Sequence, residues 1–172
     1  MIEESSPAAI RRAHINHESS VKSVGGLYTL FGGLMLLPVF IGILESFTRV
    51  AHGNDAASLV MTLLIAVGVL VLGTSVRRLK PWARIAMAVV SGLLGAVSLL
   101  TVVFPLLNLY VLWLMFSAKG RMVFSPTYQQ IILLTPDVKP RTSVVSWFLL
   151  CLLILFVIAM LATLLIPAFK RE

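Results

Sequence analysis

The chain has 172 residues, of which 59% are hydrophobic and 12% are charged, and its mean hydropathy is +0.99. Soluble domains contain about 45 to 50% apolar and about 25% charged residues, so 14 basic and 7 acidic side chains cannot cover a water-facing surface of this size. The net charge of +7 would suit nucleic acid, but the basic residues lie in short clusters between apolar stretches. The composition therefore predicts a membrane protein without a nucleic-acid partner.

Residues 1–22 form a polar segment that mixes charged residues with Ser and Pro and lacks sustained helical periodicity. We expect a disordered or loosely interfacial cytoplasmic tail. No cleavable signal peptide is predicted, because the apolar stretch behind this segment is too long for a signal h-region. His14 and His17 stand three residues apart, but no third ligand lies nearby, so no metal site is predicted.

Four stretches contain no charged residue and no histidine: 23–44, 56–76, 85–118 and 142–169. A helix rises about 1.5 Å per residue and needs about 20 residues to cross a hydrocarbon core about 30 Å thick. Each stretch is long enough to cross at least once. The pattern predicts an all-α fold, a polytopic transmembrane helical bundle in one domain over residues 23–169, followed by a short tail at 170–172.

The third stretch is longer than one crossing needs and shorter than two full crossings with a turn. Phe104, Pro105 and Asn108 favour a tight turn, which predicts a hairpin at 104–108 and a short fourth segment. The five segments would then lie at about 24–45, 57–76, 82–103, 105–118 and 144–168. The alternative is four segments, with the third helix kinked at Pro105.

Lys and Arg beside short loops are retained in the cytoplasm. With five segments and a cytoplasmic amino terminus, eleven of the 14 basic residues lie on the cytoplasmic side, whereas four segments place nine there. The count favours five segments in a bacterial inner membrane, with the carboxyl terminus in the periplasm. The cytoplasmic loop at 119–141 contains a predicted short helix, which begins at Ser125 and Pro126 and ends before Thr135 and Pro136. This helix would lie in the membrane interface or pack on the bundle.

Four motifs in the second half of the chain occur together. They are Leu79-Lys80-Pro81-Trp82-Ala83-Arg84-Ile85, Phe104-Pro105, Tyr110-Val111-Leu112-Trp113 and the segment Lys119-Gly120-Arg121-Met122-Val123-Phe124-Ser125-Pro126-Thr127-Tyr128-Gln129. The combination, within residues 77–143, resembles small uncharacterised multi-pass bacterial inner-membrane proteins. The resemblance implies the hairpin topology and no particular activity. The chain departs from the simplest members by adding residues 144–169.

Two sets of residues are candidate contact sites. The basic turn after the second segment has the residues of an anionic-lipid contact, namely Arg77, Arg78, Lys80, Trp82 and Arg84. Small residues on the third segment form a candidate helix-packing seam, namely Ala88, Ser91, Gly92, Gly95 and Ala96. Packing within the chain and a homodimer contact are both open for this seam, and Gly25, Gly26, Gly32 and Gly33 form a similar face on the first segment.

No catalytic, cofactor-binding or metal-binding pattern is present, and Cys151 lies inside an apolar stretch without a nearby base. No ionisable group lies centrally in a predicted segment, which disfavours an ion-coupled transporter. We expect a non-enzymatic accessory or lipid-associated bundle whose partners are membrane lipids, another membrane protein or a second copy. The alternatives are an oligomeric channel or transporter for a small neutral solute and, less favoured, an interfacial lipid-modifying enzyme using Glu45 or His52.

Overall fold

The structure, a computed structural model, describes residues 6–48, 53–98 and 103–139 and six helical residues of the last apolar stretch, namely Trp147, Leu150, Cys151, Ile154, Leu155 and Ile158. Six helices are delimited: α1 (Pro7–Thr48), α2 (Gly53–Arg77), α3 (Pro81–Val97), α4 (Val103–Phe116), α5 (Ala118–Val123) and α6 (Pro126–Leu134). The described residues contain no strand. The all-α class is confirmed for this part of the chain.

The first helix begins much earlier than the sequence suggests. Ser6 precedes Pro7, and the Ser6 Oγ accepts a hydrogen bond from the Ala9 amide at 3.2 Å, which satisfies one of the free amides of the first turn. The expectation of a disordered or loose tail is therefore wrong for residues 7–22, which are helical and continue without a break into the first apolar stretch. The helix has one internal proline, Pro38.

The third apolar stretch contains two helices, and the single kinked helix is wrong. Helix α3 ends at Val97 and α4 begins at Val103, so the break precedes the predicted turn at 104–108. Pro105 lies in the first turn of α4, where the absence of an amide hydrogen has no cost. A Cβ on Gly95 would lie 3.4 Å from Asn108, and Arg84 shares a cavity with Phe116. The two helices are therefore antiparallel.

Two of the described helices, over Pro7–Leu44 and Ala56–Arg77, are long and apolar enough to cross a membrane. Helix α3 and the segment Pro105–Phe116 are apolar but shorter. In the first of the long helices every charged residue precedes residue 23, so its second half alone is uncharged. The coarse expectation of apolar helices of membrane-crossing length is confirmed for these two.

Helices α1 and α2 approach each other through glycines. A Cβ at Gly73 would lie 2.5 Å from the Thr29 amide nitrogen, and one at Gly25 would lie 2.8 Å from the Gly73 carbonyl oxygen. Two helical turns further along α1, a Cβ at Gly32 would lie 2.8 Å from the Leu70 amide nitrogen. Each of these distances is too short for a real side chain, so the two backbones are in direct contact along this line.

Many large apolar side chains on the long helices face outward. Leu30, Phe40 and Leu64 are 53%, 62% and 63% exposed, and Leu93 on α3 is 63% exposed. The buried apolar core instead collects toward one end, where Val21, Leu79, Met87, Leu114 and Tyr128 are 2% exposed or less. Apolar side chains are thus buried at one end of the bundle and exposed along the rest of its length.

Substitution of Gly73 by Ala is expected to separate α1 from α2 and lower the free energy of unfolding by about 1 to 3 kcal/mol, the usual cost of overpacking. Gly26→Ala is the matched control, since nothing lies within 4 Å of its added methyl group. Thermal unfolding in detergent measures both. Equal midpoints for the two variants would contradict the close contact at Gly73.

Candidate functional site

Residues 7–22 of α1, helices α5 and α6, and the turn between α2 and α3 meet at one end of the bundle; we call this assembly the polar cap. Its centre is the Glu18 carboxylate, which is fully buried. Lys22 Nζ lies 2.5 Å from Glu18 Oε1, Arg11 Nε lies 3.4 Å from Oε2, and the Tyr128 hydroxyl donates to Oε2 at 3.0 Å. A buried carboxylate needs such partners, because an unpaired charge away from water is very costly.

The partners keep Glu18 ionised. Burial by itself would raise its pKa, but the hydrogen bond and charge of Lys22, the Tyr128 hydroxyl and the charge of Arg11 together lower the pKa below the ordinary value. Burial and the neighbouring carboxylate raise the pKa of Tyr128 in turn. At neutral pH the carboxylate is charged and the phenol keeps its proton, so the Tyr128 hydroxyl donates to a charged acceptor.

Arg11 also closes the end of α6. Its guanidinium donates to the Thr135 carbonyl oxygen, to the Thr135 hydroxyl at 3.2 Å and to the Ile132 carbonyl oxygen at 3.4 Å. The last carbonyls of a helix carry a partial negative charge, so a cation placed there is stabilising. One side chain therefore links the start of α1, Glu18 and the end of α6, and it is only 4% exposed.

His17 joins α1 to the end of α4. Its Nε2 lies 3.0 Å from the Leu114 carbonyl oxygen and 3.4 Å from the Ser117 hydroxyl. Because a carbonyl only accepts, Nε2 carries the hydrogen in this contact. Burial lowers the pKa of His17; the Leu114 hydrogen bond opposes this, and the charge of Lys119 adds to it. The imidazole is therefore held in its neutral form.

The Lys119-Gly120-Arg121 motif permits this contact. The Ser117 side chain accepts a hydrogen bond from the Gly120 amide at 3.0 Å and starts α5. A Cβ on Gly120 would overlap the Leu114 carbonyl oxygen, the same atom that His17 binds. Glycine at this position lets the chain reverse tightly enough for α5 to pack on α1.

The turn between α2 and α3 is bound to α6. Helix α2 ends with the Lys80 amide donating to the Ser75 carbonyl oxygen and the Leu79 amide donating to that of Val76. This double closure requires a left-handed residue, usually glycine, but here Leu79 has a φ of 54°. A left-handed leucine costs about 1 to 2 kcal/mol. Burial of its side chain and a 3.0 Å hydrogen bond from the Gln129 side-chain Nε2 to its carbonyl oxygen oppose that cost.

Helix α6 starts and ends where the sequence predicts, from Pro126 to Leu134 with Ser125 accepting a hydrogen bond from the Tyr128 amide. Tyr128 and Ile131 are buried against the bundle, whereas Leu133 and Leu134 are 80% and 71% exposed. The helix packs on the bundle through one face and leaves an apolar edge uncovered. Two of the motifs quoted above, the one that begins at Leu79 and the one that ends at Gln129, thus meet in the polar cap.

The predicted lipid contacts surround the polar cap but do not belong to its interior. Arg77, Arg78 and Lys80 are exposed, Trp82 is 49% exposed, and Arg84 is half-buried beside α4. In the predicted seam, Ala88 and Ser91 are buried within the chain and Gly95 approaches α4, whereas Ala96 faces outward and Gly92 has nothing within 4 Å of a Cβ. The side chain of Glu45 and residue His52 lie outside the described residues.

Sequence reasoning missed the four polar residues at the centre of the polar cap: Arg11, His17, Glu18 and Lys22. A signal was present, because Glu18 and Lys22 are four residues apart and Arg11 is two turns earlier, a spacing that places all three on one helix face. The partners of Arg11, His17 and Glu18 outside α1 lie 97 to 124 residues away, so the spacing alone did not identify what the face contacts.

No protein-family model matches the chain, and neither a curated protein nor a solved structure matches it. The resemblance to small multi-pass bacterial membrane proteins therefore stays a prediction carried by the motifs.

Tyr128→Phe is expected to lower the free energy of unfolding by about 1.5 to 3 kcal/mol, because it removes a buried hydrogen bond to a charged group and leaves the ring in place. Tyr110→Phe is the control, since the Tyr110 ring stacks on Trp113 and has no hydrogen bond among the described contacts. Chemical unfolding in detergent measures the difference. Unchanged stability of the Tyr128 variant would mean that its hydroxyl does not bind Glu18.

The polar cap is expected to loosen on acidification. The folded-state pKa values of His17 and Glu18 both lie below their ordinary values of 6.5 and 4.5. The unfolded chain therefore takes up more protons than the folded chain, and the free energy of unfolding falls as pH falls. The loss should begin below pH 6.5 with His17 and continue below pH 4.5 with Glu18. Hydrogen exchange of residues 7–22 and 118–134, corrected for the intrinsic rate, measures it.

His17→Gln should remove the first of these two steps, because glutamine can still donate to the Leu114 carbonyl oxygen but does not titrate. His14→Gln on the same helix is the control and should keep both steps. A first step that persists in His17→Gln would assign the loosening to another group.

Proposed function

We propose that the chain is a multi-pass protein of a bacterial inner membrane that works by association, as a lipid-associated or accessory helical bundle without chemistry of its own. Its five segments place the polar cap and the amino terminus in the cytoplasm and residue 172 in the periplasm. Helices α3 and α4 form the short hairpin, and their ends reach the headgroups through long basic side chains. The exposed apolar side chains along α1 to α3 support hydrocarbon surroundings.

The observation that carries the proposal is the unbalanced charge around the polar cap. The side chains of eight basic residues there form no hydrogen bond or ion pair with another described residue: Arg12, Arg77, Arg78, Lys80, Arg84, Lys119, Arg121 and Lys139. Among the residues that the structure describes at this end, the acidic groups are Glu18, which is buried and already paired, and Asp137. A rigid surface with this excess of cations suits a leaflet of anionic lipid, where each Lys or Arg contributes about 1 kcal/mol.

A solute path between copies has weaker support. It would use Ser91 and Ser98 as polar lining, but Ser91 is fully buried inside the chain and the Ser98 hydroxyl donates to the Leu94 carbonyl oxygen of its own helix. The outward small residues Gly92 and Ala96 instead offer a face on which another membrane helix can pack closely. A partner subunit or a second copy is therefore the protein contact that we propose.

The orientation is tested by reporters that are active on one side of the membrane. Fused after Glu172, a periplasm-specific reporter is expected to be active and a cytoplasm-specific one inactive. The same pair fused before Met1 should give the opposite result. Activity of the cytoplasmic reporter at both ends would mean an even number of segments.

Lipid association is tested by the triple substitution Arg77→Gln, Arg78→Gln and Lys80→Gln. In nanodiscs of mixed phosphatidylglycerol and phosphatidylcholine, it should lower the enrichment of phosphatidylglycerol around the protein at least severalfold. The double substitution Lys170→Gln and Arg171→Gln is the control, since it removes basic residues that we place on the other side. Equal enrichment in all three proteins would overturn the lipid-associated role.

A further inference from the structure

A cavity of about 170 Å³ lies between α3 and α4 near the polar cap. Its lining residues are Arg84, Ile85, Ala88, Val89, Met115 and Phe116. Ala88 and Met115 form a buried floor, at 6% and 0% exposure. Ile85, Val89 and Phe116 are 63%, 56% and 66% exposed. The cavity is therefore an open groove with apolar walls and one charged residue.

Arg84 makes one end of the groove positively charged and distinguishes it from the apolar end. It precedes Ala88 by one helical turn on the same face of α3, and it is on the side of the polar cap. No described residue accepts a hydrogen bond from its guanidinium or forms an ion pair with it. Charge thus lies at the headgroup end of the groove, and apolar side chains line the part that extends along α3 away from it.

We propose that this groove holds one acyl chain of an anionic phospholipid, with the phosphate bound by Arg84. The inference rests on the proposed function and names the site at which one lipid is held more tightly than the surrounding leaflet. A guanidinium binds two phosphate oxygens at once, which suits Arg better than Lys. The acyl chain then covers Ala88 and Met115 and continues past Val89.

Charge complementarity favours this occupant over a helix. The last apolar stretch of the chain, 142–169, has no carboxylate to offer Arg84. Among the described side chains of a second copy, Glu18 is buried and already paired, which leaves Asp137 as the exposed acidic group. A phospholipid supplies both requirements of the groove, an anion at one end and a flexible apolar chain beyond it.

The test counts lipids retained by the full chain in detergent, using native mass spectrometry after incubation with equal amounts of phosphatidylglycerol and phosphatidylcholine that have the same acyl chains. The wild-type protein should retain one phosphatidylglycerol. Arg84→Gln should lower its retention about fivefold, and Arg84→Lys should lower it less. Ala88→Leu, which fills the floor of the groove, should lower retention to a similar extent with Arg84 intact.

Two variants are matched controls. Arg78→Gln removes an exposed charge from the same basic turn outside the groove, and Gly92→Leu adds the same side chain to α3 where nothing lies within 4 Å. Both should keep the single tightly held lipid. Only variants that keep the helix content and the unfolding midpoint of the wild-type protein are compared. In a second experiment, a lipid with a photoreactive group on its acyl chain is cross-linked to the wild-type protein.

Cross-links at residues 85–89 of α3 and 115–116 of α4 would support the site. Equal losses in Arg78→Gln and Arg84→Gln, with Ala88→Leu unaffected, would overturn the groove and leave the general cationic surface standing. Cross-links confined to residues 142–169 would also overturn the proposed groove site, because the lipid would then contact that segment instead. Equal retention of both lipids by the wild-type protein would overturn the groove and the lipid-associated role together.

Discussion

The buried Glu18 carboxylate has to be neutralised at the point where α1 leaves the apolar part of the bundle, and most of the polar cap follows from that requirement. Three groups from two distant parts of the chain converge on it: Arg11, Lys22 and Tyr128. Each is a donor, and together they outweigh the cost of burial. Removing any one leaves a charge or a strong acceptor without its partner, so the cluster is cooperative.

This constraint explains why residues far apart in sequence behave as one unit. Arg11 binds both Glu18 and the end of α6, and Tyr128 of α6 binds the same carboxylate, so the start of α1 is held against α6 at two points. Tyr128 is followed by Gln129, which binds the Leu79 carbonyl oxygen and so links α6 to the turn before α3. The basic residues Arg77, Arg78 and Lys80 are thereby attached to a rigid element. In the proposed function, fixed cations bind headgroups without first losing the freedom of a loop.

Sequence reasoning was accurate where structure depends on neighbours in the chain. The apolar stretches and the Ser125-Pro126 helix start are local signals, and both led to the observed helices. It was wrong at residues 7–22, because a charged segment becomes a stable helix here through contacts with α4, α5 and α6. It also placed the hairpin turn too late, since Pro105 breaks a helix interior but is well tolerated in a first turn. The Arg84 groove had no signal beyond one basic residue, since its walls come from two helices.

Helix α1 connects the two ends of the molecule mechanically, because it is one continuous helix. Its 42 residues correspond to about 60 Å, roughly twice the thickness of the hydrocarbon core. Between Pro7 and Pro38 it has no proline, and Gly25 and Gly32 are held against α2. The apolar half of the helix and the half that carries Glu18 therefore move as one rigid rod. In the proposed function, a bilayer that changes the tilt of the helix to match its own thickness also moves residues 7–22, together with the groups bound to Arg11 and His17.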